Sequence, residues 1–197
     1  MDRTAARPLV IVTAFTASLL IGLLVVLWGM GGVRGVTAPA AIGGPFQLTD
    51  QSGAIVTEKD LQGRPTLIFF GFTHCPDICP TTLFDMSQLM KALGPDADRT
   101  GALFITVDPE RDTTKVMSDY LSNFDPHVRG LTGDPAAIAA AVKAYRVYAK
   151  KVPLENGDYT MDQTALVYLM DKNGHFVAPF DMSRTPAAEA ADLRRYL

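Results

Sequence analysis

Cysteine is scarce in this 197-residue chain: there are two, Cys75 and Cys79, and no other thiol is present to scramble them. An excess of positive charge is also missing beyond the N-terminus. Residues 35–197 carry 15 basic and 20 acidic side chains, which excludes the basic face that nucleic-acid binding needs. Internal repeats and low-complexity tracts are absent, so these 163 residues read as one domain, long enough to bury a core. Charge is absent altogether from Pro8 to Val33, a stretch longer than the roughly 20 residues a helix needs to cross a bilayer.

That uncharged stretch sets the expected organisation. Arg3 and Arg7 precede it and Trp28 lies near its far end, which predicts a single membrane anchor with a cytoplasmic N-terminus. A cleaved signal peptide is the competing reading, with Ala38-Pro39-Ala40 as a small-x-small site. The apolar run, however, exceeds the usual signal core of about 7–15 residues. The expected division is a cytoplasmic N-terminus (1–8), a transmembrane anchor (9–29), a Gly/Ala/Pro-rich linker (30–43) and a folded domain (44–197) outside the cytoplasm, in a bacterium the periplasm.

Within the domain, FQLTDQSGAIVT alternates about the turn Asp50–Gly53 and predicts a β-hairpin. The runs 65–72 and 102–108 are continuously apolar and predict strands buried on both faces. Residues 80–93 predict a helix with Phe84, Met86, Leu89, Met90 and Leu93 on its apolar face. A second is expected at about 113–122, capped by Asp112 or Thr113. Asp134-Pro135 and Thr185-Pro186 open two more helices, each as cap followed by proline. Residues 150–164 read as a long polar loop, and 165–171 and 175–180 as a terminal strand pair. The expected fold is α/β: a thioredoxin-like mixed sheet flanked by helices, with an N-terminal β-hairpin and one transmembrane helix.

Cys75 and Cys79 fall between a buried strand and a helix, at the carboxyl end of the strand, where open α/β sheets build their sites. Residues four apart on a helical turn share one side, and Pro80 fits the first turn. The pair could form a disulfide or clamp a soft metal, and a helix N-terminus favours the thiolate that either chemistry uses. A purely structural disulfide closing a five-residue ring would constrain the unfolded chain by only about 2 kcal/mol. Spacing alone leaves thiol–disulfide exchange and metal binding both open.

FFGFTHCPDICPTTL (69–83), ITVDPERDT (105–113) and YTMDQTALVYLMDKNGHFV (159–177) occur in an order and spacing that resembles the Sco/SenC family of membrane-anchored, thioredoxin-fold copper proteins, from about Gly44 to the C-terminus. The resemblance implies a copper chaperone that binds Cu(I) or Cu(II) through Cys75 and Cys79 and serves the binuclear copper site of cytochrome c oxidase. Its partners would be the oxidase copper-site subunit and a copper donor or thiol–disulfide partner. The family's third ligand is a histidine in an Asp-His-Thr/Ser motif, and here Gln163 occupies that position, between Asp162 and Thr164. An amide oxygen is a weak donor to copper, so Gln163 is expected to make a hydrogen bond across the cleft. Met161 points the same way on an extended segment and is the candidate substitute ligand. The alternative function is a thiol–disulfide reductase or redox sensor using the same cysteines, which needs no third ligand. A thiol peroxidase would want an arginine beside one activated cysteine, and the sequence places none. Asp108–Asp112 reads as a charged turn. His74, His127 and His175 read as turn and loop residues at the surface, and Tyr145, Tyr148 and Tyr159 as core or surface aromatics.

Overall fold

A computed structural model describes residues 16–26, 42–155 and 157–197. The chain divides into two compact units, Met1–Ala40 and Ala41–Leu197. In the first, residues 16–26 are helical (α1) and exposed. The rest of the expected anchor, 9–15 and 27–29, and most of the expected linker lie outside the described residues. Among the described residues, no helix is long and apolar enough to cross a membrane.

The second unit is built on a seven-stranded mixed sheet of order β2-β1-β5-β4-β3-β8-β9. At its centre run β3 (Thr66–Gly71) and β4 (Gly101–Thr106), parallel and buried at every residue. Their continuous apolar sequences follow from that position, since helices cover both faces of a parallel pair. The hairpin β1 (Gln47–Asp50) and β2 (Ile55–Thr57) joins one side through antiparallel pairing with β5 (Val128–Thr132). On the other side β8 (Val167–Met170) runs antiparallel to β3 and pairs with β9 (Phe176–Phe180). Helices α2 (Ile78–Leu93) and α3 (Thr114–Leu121) connect the parallel strands, α4 (Pro135–Ala144) follows β5, and α5 (Pro186–Leu193) packs against α2. The side-chain oxygens of Thr113, Asp134 and Thr185 accept from the backbone amides of Val116, Ala137 and Ala188, which fixes where α3, α4 and α5 begin.

Two expectations are corrected, and one strand, β5, was not expected. Phe84 is 55% exposed. The buried face of α2 is instead Cys79, Leu83, Met86, Leu89, Met90 and Leu93. The strand β5 had no strand-like apolar run because Arg129 and Gly130 interrupt it. Gly130 is required by packing, since a Cβ there would lie 2.4 Å from Leu121 Cδ1 and 2.8 Å from Met117 Cε, so α3 rests directly on the strand backbone. The polar segment 150–164 is a second, two-stranded sheet, β6 (Ala149–Pro153) paired antiparallel with β7 (Tyr159–Gln163). Its side chains are half-buried or exposed, so it carries none of the burial that marks a strand in sequence.

Gly71 ends β3 at a point of close approach. A Cβ there would lie 2.4 Å from Phe104 Cε2 and 3.0 Å from Cys79 Sγ. Gly71→Ala should destabilise the domain by about 1–3 kcal/mol, as overpacking of a core does, read as a lower urea midpoint at unchanged slope.

Candidate thiol site

The cysteine loop leaves β3 at Gly71, and the Cys75 amide donates to the Phe72 carbonyl at 3.3 Å. Asp77 occupies the cap position of α2, but its side chain makes no capping bond. The sulfur of Cys75 takes that role: it accepts from the amide of Cys79, the second residue of the helix, at 3.4 Å. Pro80 follows as the third helical residue, where its missing N–H breaks no ladder bond.

Both cysteines are free thiols in unlike surroundings. Cys75 is half-buried, whereas Cys79 is fully buried under Gly71 and Phe104. Burial pushes the Cys79 thiol up, well above its ordinary range. Gln163, at the end of β7, donates its Nε2–H to Cys79 Sγ at 3.3 Å, the cross-cleft bond expected from the sequence. Its Oε1 is buried without a hydrogen-bond partner. Met161 lies two residues back on the same strand and packs against the core. Among the described residues, no group of three or more His, Cys, Asp or Glu side chains is arranged to hold a metal ion.

The turn Asp108–Asp112 is more than a charged turn. Asp112 is fully buried. Its carboxylate accepts from the Thr73 amide (3.0 Å), the Thr73 hydroxyl (2.6 Å) and the Thr106 hydroxyl (2.6 Å), and its backbone carbonyl accepts from Thr132 Oγ1 (2.6 Å). One residue thus fastens the cysteine loop to the ends of β4 and β5. Asp108, 2% exposed, is held by Arg111 Nε at 2.5 Å and by the Tyr159 hydroxyl at 2.9 Å.

The histidines lie apart from this arrangement or at its rim. His74 is half-exposed, with Nδ1 3.1 Å from Thr73 Oγ1 and 3.9 Å from Asp112 Oδ1. His127 opens β5, at the opposite end of the parallel strands from the cysteines. It bridges Asp125 (2.6 Å) and Asp98 (3.1 Å), so it is more tied down than a surface loop residue. His175 is 80% exposed. Of the tyrosines, Tyr145 is core and Tyr148 is 51% exposed.

Sequence reasoning missed Tyr120. Its ring stacks near Phe104 (6.0 Å) and Phe124 (5.4 Å), and its hydroxyl is buried without a partner. Burial raises its pKa first, and the charges of Cys79, Cys75 and Asp112 raise it further. Nothing in the sequence separates it from any other core aromatic.

A sheet with a dithiol at the turn from its central strand into a helix defines a thioredoxin-like thiol protein. Residues 34–197 match the SCO1/SenC family, and the chain belongs to that family. It is 44% identical over 142 residues to the mitochondrial protein SCO1 homolog 1 of Arabidopsis thaliana. That match covers 70% of this chain and 42% of the relative, so the chain spans less than half of that protein's length. Its fold is similar to the structure of Bradyrhizobium japonicum ScoI with copper bound, at 66% identity and a TM-score of 0.78, covering 80% of this chain and 100% of that one. A more distant likeness, 26% identical with a TM-score of 0.63 over 79% of this chain and 93% of the other, is to BsSco, described as a member of the Sco family of cytochrome c oxidase assembly proteins with a disulfide switch.

The unequal burial predicts unequal reactivity. With the reduced protein at pH 7.5, limiting iodoacetamide should modify Cys75 first. Cys79 should react about tenfold or more slowly, because its sulfur is buried and burial, by raising its pKa, leaves it little thiolate. Fragmentation mass spectrometry of the peptide holding both cysteines checks the order, and equal labelling would refute it.

Proposed function

We propose that this protein is a copper-binding metallochaperone that delivers copper for the binuclear copper site of cytochrome c oxidase, and that Cys75 and Cys79 are the copper ligands. The observation that carries this reading is the pair of free thiols where the loop after β3 enters α2, the half-open Cys75 sulfur accepting the amide of the buried Cys79. Family membership and the copper-bound state of the similar Bradyrhizobium protein support it. Thiolates are soft donors that select Cu(I), and two of them suffice for a linear arrangement. Cys75, the half-open thiol, would meet the ion first. Cys79 would follow as its proton leaves, since a metal-bound thiol is deprotonated. The protein would act from the bacterial inner membrane, anchored through residues 9–29 with its domain in the periplasm, receiving copper from a donor protein and passing it to the oxidase copper-site subunit.

The amide of Gln163 on the Cys79 sulfur favours a second reading, in which the pair is a redox couple. The Cys75 thiolate attacks a client disulfide and forms a mixed disulfide, releasing one client thiolate. Cys79 then attacks the Cys75 sulfur, releases the second client thiol and leaves a Cys75–Cys79 disulfide. Two electrons pass to the client. The disulfide switch described for BsSco is in keeping with this chemistry.

Anaerobic Cu(I) titration of the reduced full-length chain in mild detergent, against a competing chelator, separates the two. The chaperone reading expects one ion per chain, lost in Cys75→Ser and in Cys79→Ser. Gln163→His should prolong Cu(II) retention by supplying an imidazole in place of an amide. Failure to compete for Cu(I), together with stoichiometric reduction of a model disulfide, would overturn the chaperone reading in favour of the redox one.

A further inference from the structure

The hairpin β6–β7 is a sheet of two strands that pairs with no strand of the main sheet. An isolated two-stranded hairpin is marginally stable, so its position depends on what fastens it. Its base is closed on itself, the Tyr148 amide donating to Thr164 Oγ1 (3.0 Å) and the Thr164 amide to the Tyr148 carbonyl (2.9 Å), and Ala149 and Met161 pack it against the core. A polar fastening to the domain body is centred on Tyr159. Arg111 lies over the Tyr159 ring with its guanidinium carbon 3.8 Å from the centroid, and Lys151 Nζ lies over the same ring at 4.0 Å. Arg111 Nη1 also donates to the Tyr159 carbonyl at 2.9 Å, and Lys151 pairs with Glu110 at 2.7 Å.

The two cations come from different parts of the chain. Arg111 belongs to the turn between β4 and α3, and Lys151 to β6, diagonal to Tyr159 across the hairpin. The ring is therefore a point at which cations of the domain body and of the hairpin meet, beside the Tyr159–Asp108 and Lys151–Glu110 bonds. The same turn is fixed to the cysteine loop through Asp112 and Thr73. Four residues along β7 from Tyr159, Gln163 rests on Cys79. At about 3.3 Å per residue the strand is a lever of about 13 Å from the ring to the thiol.

We propose that Tyr159, held between Arg111 and Lys151, is a latch that keeps the β6–β7 hairpin down on Cys79, which makes these three positioning residues for the thiol pair. The latch sets how often Cys79 is uncovered while Cys75 remains open. It rests on the reading of Cys75 and Cys79 as the working site but not on which chemistry they perform, so its test reads the thiol and not copper.

The test uses the full-length chain with Cys75→Ser, in which Cys79 is the single thiol, and follows its alkylation by N-ethylmaleimide. Tyr159→Leu removes the ring and should raise the rate about tenfold, the size expected from losing two cation–π contacts. Tyr159→Phe keeps the ring and should stay near the parent rate. Lys151→Ala, which removes an exposed cation, should raise the rate by a smaller factor and serves if Tyr159→Leu fails to fold. Thermal melts run alongside separate latch opening from global unfolding. Equal rates for the Leu, Phe and Ala variants at unchanged melting temperature would overturn the latch. So would a rise in Tyr159→Phe as large as in Tyr159→Leu, which would assign the effect to the hydroxyl bond with Asp108. A latch that responds as expected in a chain that fails to bind Cu(I) would leave the inference standing and remove the chaperone reading.

Discussion

A single buried carboxylate holds the working end of this domain together. Asp112 accepts hydrogen bonds from the loop after β3 and from the end of β4, while its carbonyl receives the hydroxyl of Thr132 at the end of β5. Hydrogen bonds to a charged group are individually worth about 1.5–3 kcal/mol, and an unpaired buried carboxylate is costly, so each of these partners is needed by the others. The cysteine loop is thus seated on the carboxyl ends of three parallel strands. Two glycines let the helices rest close on those strands, Gly71 beneath Cys79 of α2 and Gly130 beneath Leu121 and Met117 of α3.

The parts of the fold that were legible in the sequence are those whose chemistry is local. The apolar runs of β3 and β4, the Asp-Pro and Thr-Pro openings of α4 and α5, and the hairpin about Asp50–Gly53 each carry their signal within a few residues. What was hidden depends on partners far along the chain. The strand β5 is specified by pairing with β4 and by the helix resting on Gly130, neither of which shows in VRGLT. The hairpin β6–β7 is polar because it covers a site and no core, and it read as a loop for that reason. Phe84 fitted the helical pattern but landed on the exposed side, one position from Leu83.

The site divides in the same way. The thiol pair, the helix that begins between its two members and the substitution at Gln163 are all present as local motifs. The inward turn of Asp112, the unpartnered hydroxyl of Tyr120 and the stacking of Arg111 and Lys151 on Tyr159 exist only once distant segments meet. A histidine at position 163 would offer a ring nitrogen to the pair. The glutamine instead offers an N–H to one sulfur and leaves an oxygen idle, so the neighbour of the two thiols is a donor.

The sulfur of Cys75 also does the work of a cap, accepting the amide of Cys79 in the first turn of α2. A change in that sulfur's electron density alters how strongly it accepts the amide, so the chemical state of Cys75 bears on the cap of the longest helix in the domain. Because α2 lies against α5, the element that begins at this sulfur is also the one that holds the C-terminal helix, so the thiol chemistry and the packing of the chain's end share a single backbone segment.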